Sequence, residues 1–176
     1  MKKTTTRITV EHSVVHSKRS YEEVKTSLED RMGMLGNTDE LGRQLAAMKA
    51  PWQEIAKAIE QRLGPSGFTI FSKVEQGQIL SLAGKPRKAV QYAVGNPLLA
   101  IQMIEHVPEV ALYAPLRLTV YEGHDGKTFV AYDGFSSLLA QYQHPGVAKI
   151  AEIVERTLEA LVAEATGTEA RVQVPA

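Results

Sequence analysis

Residues 92–118 read YAVGNPLLAIQMIEHVPEVALYAPLRL, and this stretch decides the fold. The residues up to Val94 favour a strand, the corner Gly95-Asn96-Pro97 ends it, an apolar helix follows, and Pro115 precedes a second strand. Asn96 is a favoured helix N-cap, and Pro97 suits the first helical position because its missing N–H would have no partner there. The corner is therefore explained as a strand-to-helix junction. Its free N–H groups would also suit an anionic or polar ligand.

The helix after this corner is apolar around nearly its whole circumference. Its apolar residues are Leu98, Leu99, Ala100, Ile101, Met103 and Ile104. A helix that is apolar all round is covered on more than one side. We therefore expect this helix, or the sheet edge beside it, to contribute to a homodimer.

The rest of the chain interleaves strand and helix patterns. Strands are predicted at 7–15, 68–74, 88–94, 116–120 and 128–132. Ser20 and Glu23 match a capping box that opens the first helix, Asp125-Gly126 marks a hairpin turn, and Pro145 begins the last helix. A hairpin within an interleaved pattern favours an α+β fold, a single compact domain with an antiparallel or mixed sheet and helices packed mainly on one face.

The domain is expected to span residues 1–166. Residues 37–63 read as a helical insertion, with Asn37-Thr38 as its cap and an interruption at Pro51. A turn is predicted at Gln76-Gly77, followed by a short segment of undecided type at 79–82. Residues 167–176 lack any periodic pattern, and we expect a disordered tail there.

Composition narrows the classes of function. The chain has 176 residues, of which 44% are hydrophobic, and its 20 basic side chains balance 20 acidic ones. This balance argues against nucleic acid or a membrane as a partner, because both need a basic excess or a basic face. The basic run at 85–88 is read as a solvated loop.

The sequence contains no cysteine, and this excludes disulfide bonds, catalysis by a thiolate and metal sites with cysteine ligands. No apolar segment follows the basic N-terminus, so we do not expect a secretory signal. We expect a cytoplasmic location instead. His12 and His16 would lie about 13 Å apart on a strand, too far to share a metal ion. We expect no metal and no cofactor.

Several side chains are candidates for chemistry. Asp133 follows a strand and would face Tyr92 or Tyr132, and His106 lies near the C-terminus of the apolar helix, where a structural role is favoured. Tyr92 and Tyr113 bracket that helix and would line a pocket with Asn96. The alternative is that the tyrosine rings pack in the core and leave their hydroxyls wet.

The segment GNPLLAIQMIEHVPEVALYAPLRLTVYE resembles the signature of a family described as domain of unknown function 302. VVHSKRSYEEVKTSLEDRMG and HPGVAKIAEIVERTLEALV resemble that family's first strand and helix and its closing helix. The resemblance spans roughly residues 6–165, and the insertion resembles that of a longer bacterial branch. It implies a compact α+β domain, often dimeric, with no established reaction. Asn96, Pro97 and Pro115 match the signature residues of the family.

Three functional hypotheses follow. The first is a dimeric protein that binds a small molecule or a protein partner, with a site formed by Gly95, Asn96, Pro97 and Pro115 and with Tyr92 and Tyr113 in its wall. The second is an enzyme that uses a tyrosine, Asp133 or His106 as acid or base on a small polar substrate. The third is a structural subunit of an assembly.

Overall fold

The computed structural model describes residues 3–36 and 38–169. In these residues six strands form one open, mixed sheet with the order β1-β6-β5-β4-β3-β2. The strands are β1 (His12–His16), β2 (Gly33–Met34), β3 (Thr69–Val74), β4 (Ala89–Gly95), β5 (Leu116–Glu122) and β6 (Thr128–Asp133). All neighbours are antiparallel except β2 and β3, which are parallel.

Seven α-helices accompany the sheet in the described residues. They are α1 (Tyr21–Arg31), α2 (Thr38–Met48), α3 (Trp52–Glu60), α4 (Gln76–Leu82), α5 (Pro97–Ile104), α6 (Phe135–Leu139) and α7 (Pro145–Thr166). Short 3-10 helices follow α5 (Pro108–Leu112) and α6 (Ala140–Tyr142). Helix α7 packs against α1, α5 and α6, and α1 packs on β5.

The two faces of the sheet differ in burial. On β4 and β5 the buried residues alternate with less buried ones, as in a sheet covered on one side. The covered face includes Val90, Tyr92, Val94, Leu118 and Val120, all within the hydrophobic core. The opposite face, which we call the open face, is only partly covered. The predicted α+β class, with helices packed mainly on one face, is confirmed.

The predicted capping box begins α1. The backbone N–H of Glu23 donates to the Ser20 hydroxyl, and the Glu23 carboxylate accepts from the Ser20 N–H at 2.8 Å. The helix ends at Arg31, two residues before Gly33. Gly33 enters β2, where its N–H donates to the Phe68 carbonyl at 2.9 Å.

Strand β1 begins five residues later than predicted, at His12 rather than at residue 7. Its neighbour β6 ends at Asp133, opposite His12. The N–H of Gly134 still donates to the Glu11 carbonyl, after which the chain turns into α6. No strand of the described chain is therefore left opposite residues 4–10.

Residues 76–82 form helix α4, where the sequence predicted a turn and an undecided segment. Helix propensity did not predict α4 because the segment contains Gly77, and glycine is unfavourable inside helices. A Cβ atom at Gly77 would lie 2.3 Å from the Arg87 carbonyl oxygen. Tertiary packing against the start of β4 therefore needs glycine at this position and overrides its low propensity.

The predicted insertion contains α2 and α3, with a break at Pro51. Its two ends meet at Gly33 and Gly64, since a Cβ atom on Gly64 would lie 2.3 Å from the Met32 carbonyl carbon. Asn37, predicted as the helix cap, lies outside the described residues. So do residues 170–176 of the predicted tail. Two statements stay predictions: the domain spans residues 1–166, and residues 37–63 are an insertion into it.

Helix α5 is covered largely by its own chain. It packs against α7, α3 and the 3-10 helix Pro108–Leu112. Met103 is fully buried, and most of the other apolar residues of α5 are half-buried. Only Ile101 among its large apolar side chains is markedly exposed, at 40%. Most of the apolar circumference is thus explained within one chain, and the homodimer stays a prediction.

Candidate functional site

Asn96 is held by three hydrogen bonds. Its Oδ1 accepts from the N–H groups of Leu98 and Leu99 at 2.9 and 3.4 Å, which caps α5. Its Nδ2 donates to the Gly67 carbonyl at 3.1 Å and ties the helix start to the loop before β3. The side chain that the sequence offers as a ligand contact is therefore engaged in the structure, which favours the junction interpretation of this corner.

Tyr92 lies in the core on the covered face. Its hydroxyl donates to Glu29 Oε1 at 2.6 Å, and Lys73 Nζ contacts the same oxygen at 2.8 Å. Burial raises the pKa of the Tyr92 hydroxyl, and the Glu29 carboxylate raises it further. Burial also acts to raise the pKa of Glu29, but the hydrogen bonds and charge of Lys73 and the Tyr92 hydroxyl outweigh it and lower the pKa. This group joins α1 to β3 and β4.

Asp133 and Tyr132 are neighbours in β6 and point to opposite faces of the sheet. Asp133 lies on the open face with His12, whose Nδ1 is 2.8 Å from its Oδ1. The expectation that Asp133 faces Tyr92 or Tyr132 is therefore wrong. Strand order explains the error, because β1 lies beside β6 although the two are far apart in sequence.

A concave pocket of about 410 Å³ lies on the open face. Its floor comes from β1, β4, β5 and β6, and its wall from residues 112–116 and α6. The polar lining residues are His12, Gln91, Arg117, Thr119 and Asp133, and the apolar ones include Leu112, Pro115, Leu116, Ala131 and Leu138. We call this the open-face pocket.

The strand register aligns the polar groups of the floor. Leu118 is opposite Tyr132, so one step further Arg117 is opposite Asp133, which in turn is opposite His12. Directly opposed side chains in antiparallel strands lie about 5 Å apart at Cβ. Arg117, Asp133 and His12 therefore form a charged row across three strands. A second row contains Gln91, Thr119 and Ala131.

The charged groups of the row differ in whether they form an ion pair. Asp133 is close to His12, whereas the Arg117 guanidinium has no hydrogen bond or ion pair to any residue that the structure describes. Arg117 is exposed on its strand between the buried Leu116 and Leu118. A permanent cation thus faces the pocket side of the sheet, opposite Asp133 but without an ion pair or hydrogen bond to any described residue.

Two of the predicted site residues line this pocket and four do not. Tyr113 and Pro115 belong to its wall, and the Tyr113 hydroxyl accepts from Gln141 Nε2 at 3.2 Å. Gly95, Asn96, Pro97 and Tyr92 are not among the lining residues. The predicted set is therefore divided between a helix junction, a core tyrosine and the pocket wall.

Sequence reasoning missed Arg117, Gln91 and Thr119 as site residues. The available signal was alternation, since Arg117 and Thr119 interrupt the apolar Leu116, Leu118 and Val120. Alternation places these residues on one face of a strand. It does not identify the strands beside it, and so the row with Asp133 and His12 could not be assembled.

The remaining histidines have structural contacts. His106 stacks on His144 with ring centroids 4.7 Å apart, and His144 Nδ1 accepts from the Val147 N–H at the start of α7. His144 is thus the N-cap of α7, while His16 stacks on Phe129. Among the described residues no group of three or more His, Asp or Glu side chains is placed to hold a metal ion.

The chain belongs to the family described as domain of unknown function DUF302, whose model matches residues 45–165. Its structure is similar to a crystal structure of an uncharacterised conserved DUF302 protein from Bacillus stearothermophilus, with a TM-score of 0.61 and 19% sequence identity. The similarity covers 88% of this chain and 97% of the other. No curated protein matches the chain.

The family match and the structural similarity bear on the fold, and they name no reaction or ligand. The family membership predicted from the signature at residues 95–122 is confirmed. In the portion of the chain that the structure describes, none of the helices has the length and apolar character required to cross a membrane.

Proposed function

We propose that this protein binds a small organic anion in the open-face pocket. The observation that carries the proposal is the row Arg117, Asp133 and His12, in which the Arg117 guanidinium forms no ion pair or hydrogen bond with a described residue. A guanidinium presents a planar fork of donors that matches a carboxylate or a phosphate. A pocket of this kind, partly apolar with a few convergent polar groups, is typical of small-molecule sites.

The rest of the pocket restricts the ligand. Asp133 would repel a second anionic group placed beside it and would accept from a hydroxyl or amino group. Gln91 and Thr119 supply further polar contacts, and Leu112 and Leu138 suit a short apolar portion. The ligand that fits is therefore a carboxylate or phosphate compound that also carries a hydrogen-bond donor.

Binding is favoured over catalysis by the exposure of the His12–Asp133 pair. Their side chains are 61% and 52% exposed, so water competes for both groups and no low-dielectric site strengthens the pair. His106, another candidate acid or base, is also exposed and does not line the pocket. We therefore propose a binding protein, cytoplasmic and homodimeric, rather than an enzyme.

The test is isothermal titration calorimetry with three probes: inorganic phosphate, malate and glutamate. Malate and glutamate each carry two carboxylates and a hydrogen-bond donor. One carboxylate can pair with Arg117 and the donor can face Asp133, with the second carboxylate directed away from Asp133, so we expect either to bind more tightly than phosphate. Arg117→Gln should weaken that binding at least tenfold, because it removes the charge and the bidentate contact. Arg43→Gln, exposed on α2, is the matched control. Equal affinity for wild type and Arg117→Gln would contradict the proposal.

A further inference from the structure

Residues 4–10 have the composition of a strand but pair with no strand in the part of the chain that the structure describes. They read TTTRITV, in which every residue except Arg7 is β-branched and therefore favours a strand. Yet the backbone of residues 4–10 makes no hydrogen bond to any residue that the structure describes, and residues 3–9 are exposed. We call residues 4–10 the N-terminal arm.

Strand β1, which continues directly from this arm, is an edge of the sheet. It pairs with β6 on one side, and no described strand pairs with its other side. Its sequence, HSVVH, has neither the lysine nor the proline that commonly protects an edge, and Val14 is 51% exposed. An edge of this kind is a template for another strand.

The groove beside that edge is acidic. A cavity of about 540 Å³ lies along residues 11–16 and the facing side of α7, and Glu11, Glu155, Glu159 and Glu169 are among its lining residues. The arm carries the opposite charge, since Arg7 and the preceding Lys3 are exposed cations. The arm and the groove are thus complementary in charge as well as in hydrogen-bonding groups.

We propose that the arm of one copy adds to the outer edge of β1 in a second copy, and that the exchange is reciprocal about a two-fold axis. The two sheets then form one continuous sheet through antiparallel pairing of residues 4–16. This arrangement is independent of the ligand proposal and assigns the predicted homodimer a surface other than α5. It also satisfies the unpaired backbone groups of both arms.

Side-chain alternation fits a two-fold axis at Val10. That axis places Arg7 opposite Ser13 of the second copy and Ile8 opposite His12. Ser13 belongs to the covered side of β1, so Arg7 reaches the side where α7 supplies Glu155 and Glu159. Ile8, 38% exposed in the single chain, then lies on the open face beside Val14. Both charged and apolar residues of the arm gain suitable neighbours.

Sedimentation equilibrium of the full chain tests the association. Wild type should be a dimer at micromolar concentration. Arg7→Glu should raise the dimer dissociation constant at least tenfold, and Arg7→Glu combined with Glu155→Arg should recover most of the loss. Arg43→Glu, exposed on α2, controls for net charge. A monomeric wild type, or an unchanged dissociation constant for Arg7→Glu, would overturn the proposal.

Cross-linking tests the position of the axis. The chain has no cysteine, so Val10→Cys introduces a single thiol at the predicted two-fold. Opposed residues in antiparallel strands have Cα atoms about 4.5–5.5 Å apart, within disulfide range. Mild oxidation should give a covalent dimer, whereas Leu82→Cys, 90% exposed on α4, should not. Cross-linking of Leu82→Cys alone would overturn the assignment of this edge.

Discussion

Asn96 shows how one side chain can serve two structural contacts at the start of a helix. Its Oδ1 caps α5, and its Nδ2 reaches the Gly67 carbonyl. Asn96→Ala should lower the free energy of unfolding by about 1–2 kcal/mol, because a lost N-cap costs this much. It should leave malate affinity in the open-face pocket unchanged. Urea unfolding and calorimetry measure the two quantities.

Asn96→Asp separates the two contacts of this residue, since it keeps the acceptor for the α5 N–H groups and removes the donor to Gly67. We expect it to be less destabilising than Asn96→Ala. A loss of malate binding in Asn96→Ala without a fall in stability would contradict the structural role and return the corner to the list of candidate sites.

Glu29 should make the fold sensitive to acid. Its pKa is lowered in the folded state, where burial, which acts to raise it, is outweighed by the Lys73 and Tyr92 contacts. Such a carboxylate stabilises the fold above its unfolded pKa of about 4.3, and this contribution is lost as pH falls through the lower folded value. Wild type should therefore lose stability below about pH 4 more steeply than Glu29→Gln.

Urea midpoints measured between neutral and acid pH provide the measurement for Glu29. The stability difference between wild type and Glu29→Gln should be largest near neutral pH and should shrink as the pH falls. Glu22→Gln, on the exposed side of the same helix, is the matched control and should leave the midpoint nearly unchanged. A constant difference between wild type and Glu29→Gln at every pH would refute the prediction.

At the scale of elements, the two ends of the 37–63 segment cross at a backbone contact that only glycine permits. A Cβ atom at Gly64 would lie 2.3 Å from the Met32 carbonyl carbon, and no flexible side chain is there to move aside. Gly64→Ala should therefore destabilise the protein by about 1–3 kcal/mol, the usual cost of overpacking. Urea unfolding monitored by circular dichroism measures it.

Gly42→Ala is the control for this prediction. Gly42 lies within α2, and a Cβ atom there would meet nothing within 4 Å. Alanine is a better helix former than glycine, so this change should stabilise by about 0.5–1 kcal/mol. If Gly64→Ala were as well tolerated as Gly42→Ala, the close crossing of the two chain segments would be wrong.

Elements whose formation depends on residues close to them in sequence were predictable. The Ser20–Glu23 capping box, the Asp125-Gly126 hairpin and the start of α7 at Pro145 each follow from chemistry within a few residues. Helix α4 and the late start of β1 were not predictable, because each depends on a segment that is distant in sequence. Gly77 fits against Arg87, and β1 extends only as far as β6 accompanies it.

The candidate site was predictable only in part, for the same physical reason. Tyr113 and Pro115 lie in the signature segment and line the open-face pocket. The row of Arg117, Asp133 and His12 depends on the strand order β1-β6-β5, which local patterns do not encode. The sequence therefore identified residues of the pocket wall, and the sheet register was needed to identify the charged floor.

At the scale of the whole molecule, the sheet has one covered face, one open face and an outer edge at β1. The covered face contains the core, the open face contains the charged pocket, and the edge strand continues from the arm. Ligand binding and self-association are thus assigned to different surfaces. Arg7→Glu should weaken the dimer without removing the Arg117 guanidinium, and Arg117→Gln should weaken anion binding while the protein remains dimeric.

Nuclear magnetic resonance would show whether the open-face pocket binds a small anion, and which residues contact it. Amide resonances of ¹⁵N-labelled protein would be followed while malate is added. We predict saturable shifts concentrated at His12, Gln91, Arg117, Thr119 and Asp133, which are lost in Arg117→Gln. Saturable shifts concentrated at residues 95–99 instead, or no saturable shifts with malate, glutamate or phosphate, would contradict anion binding in the open-face pocket.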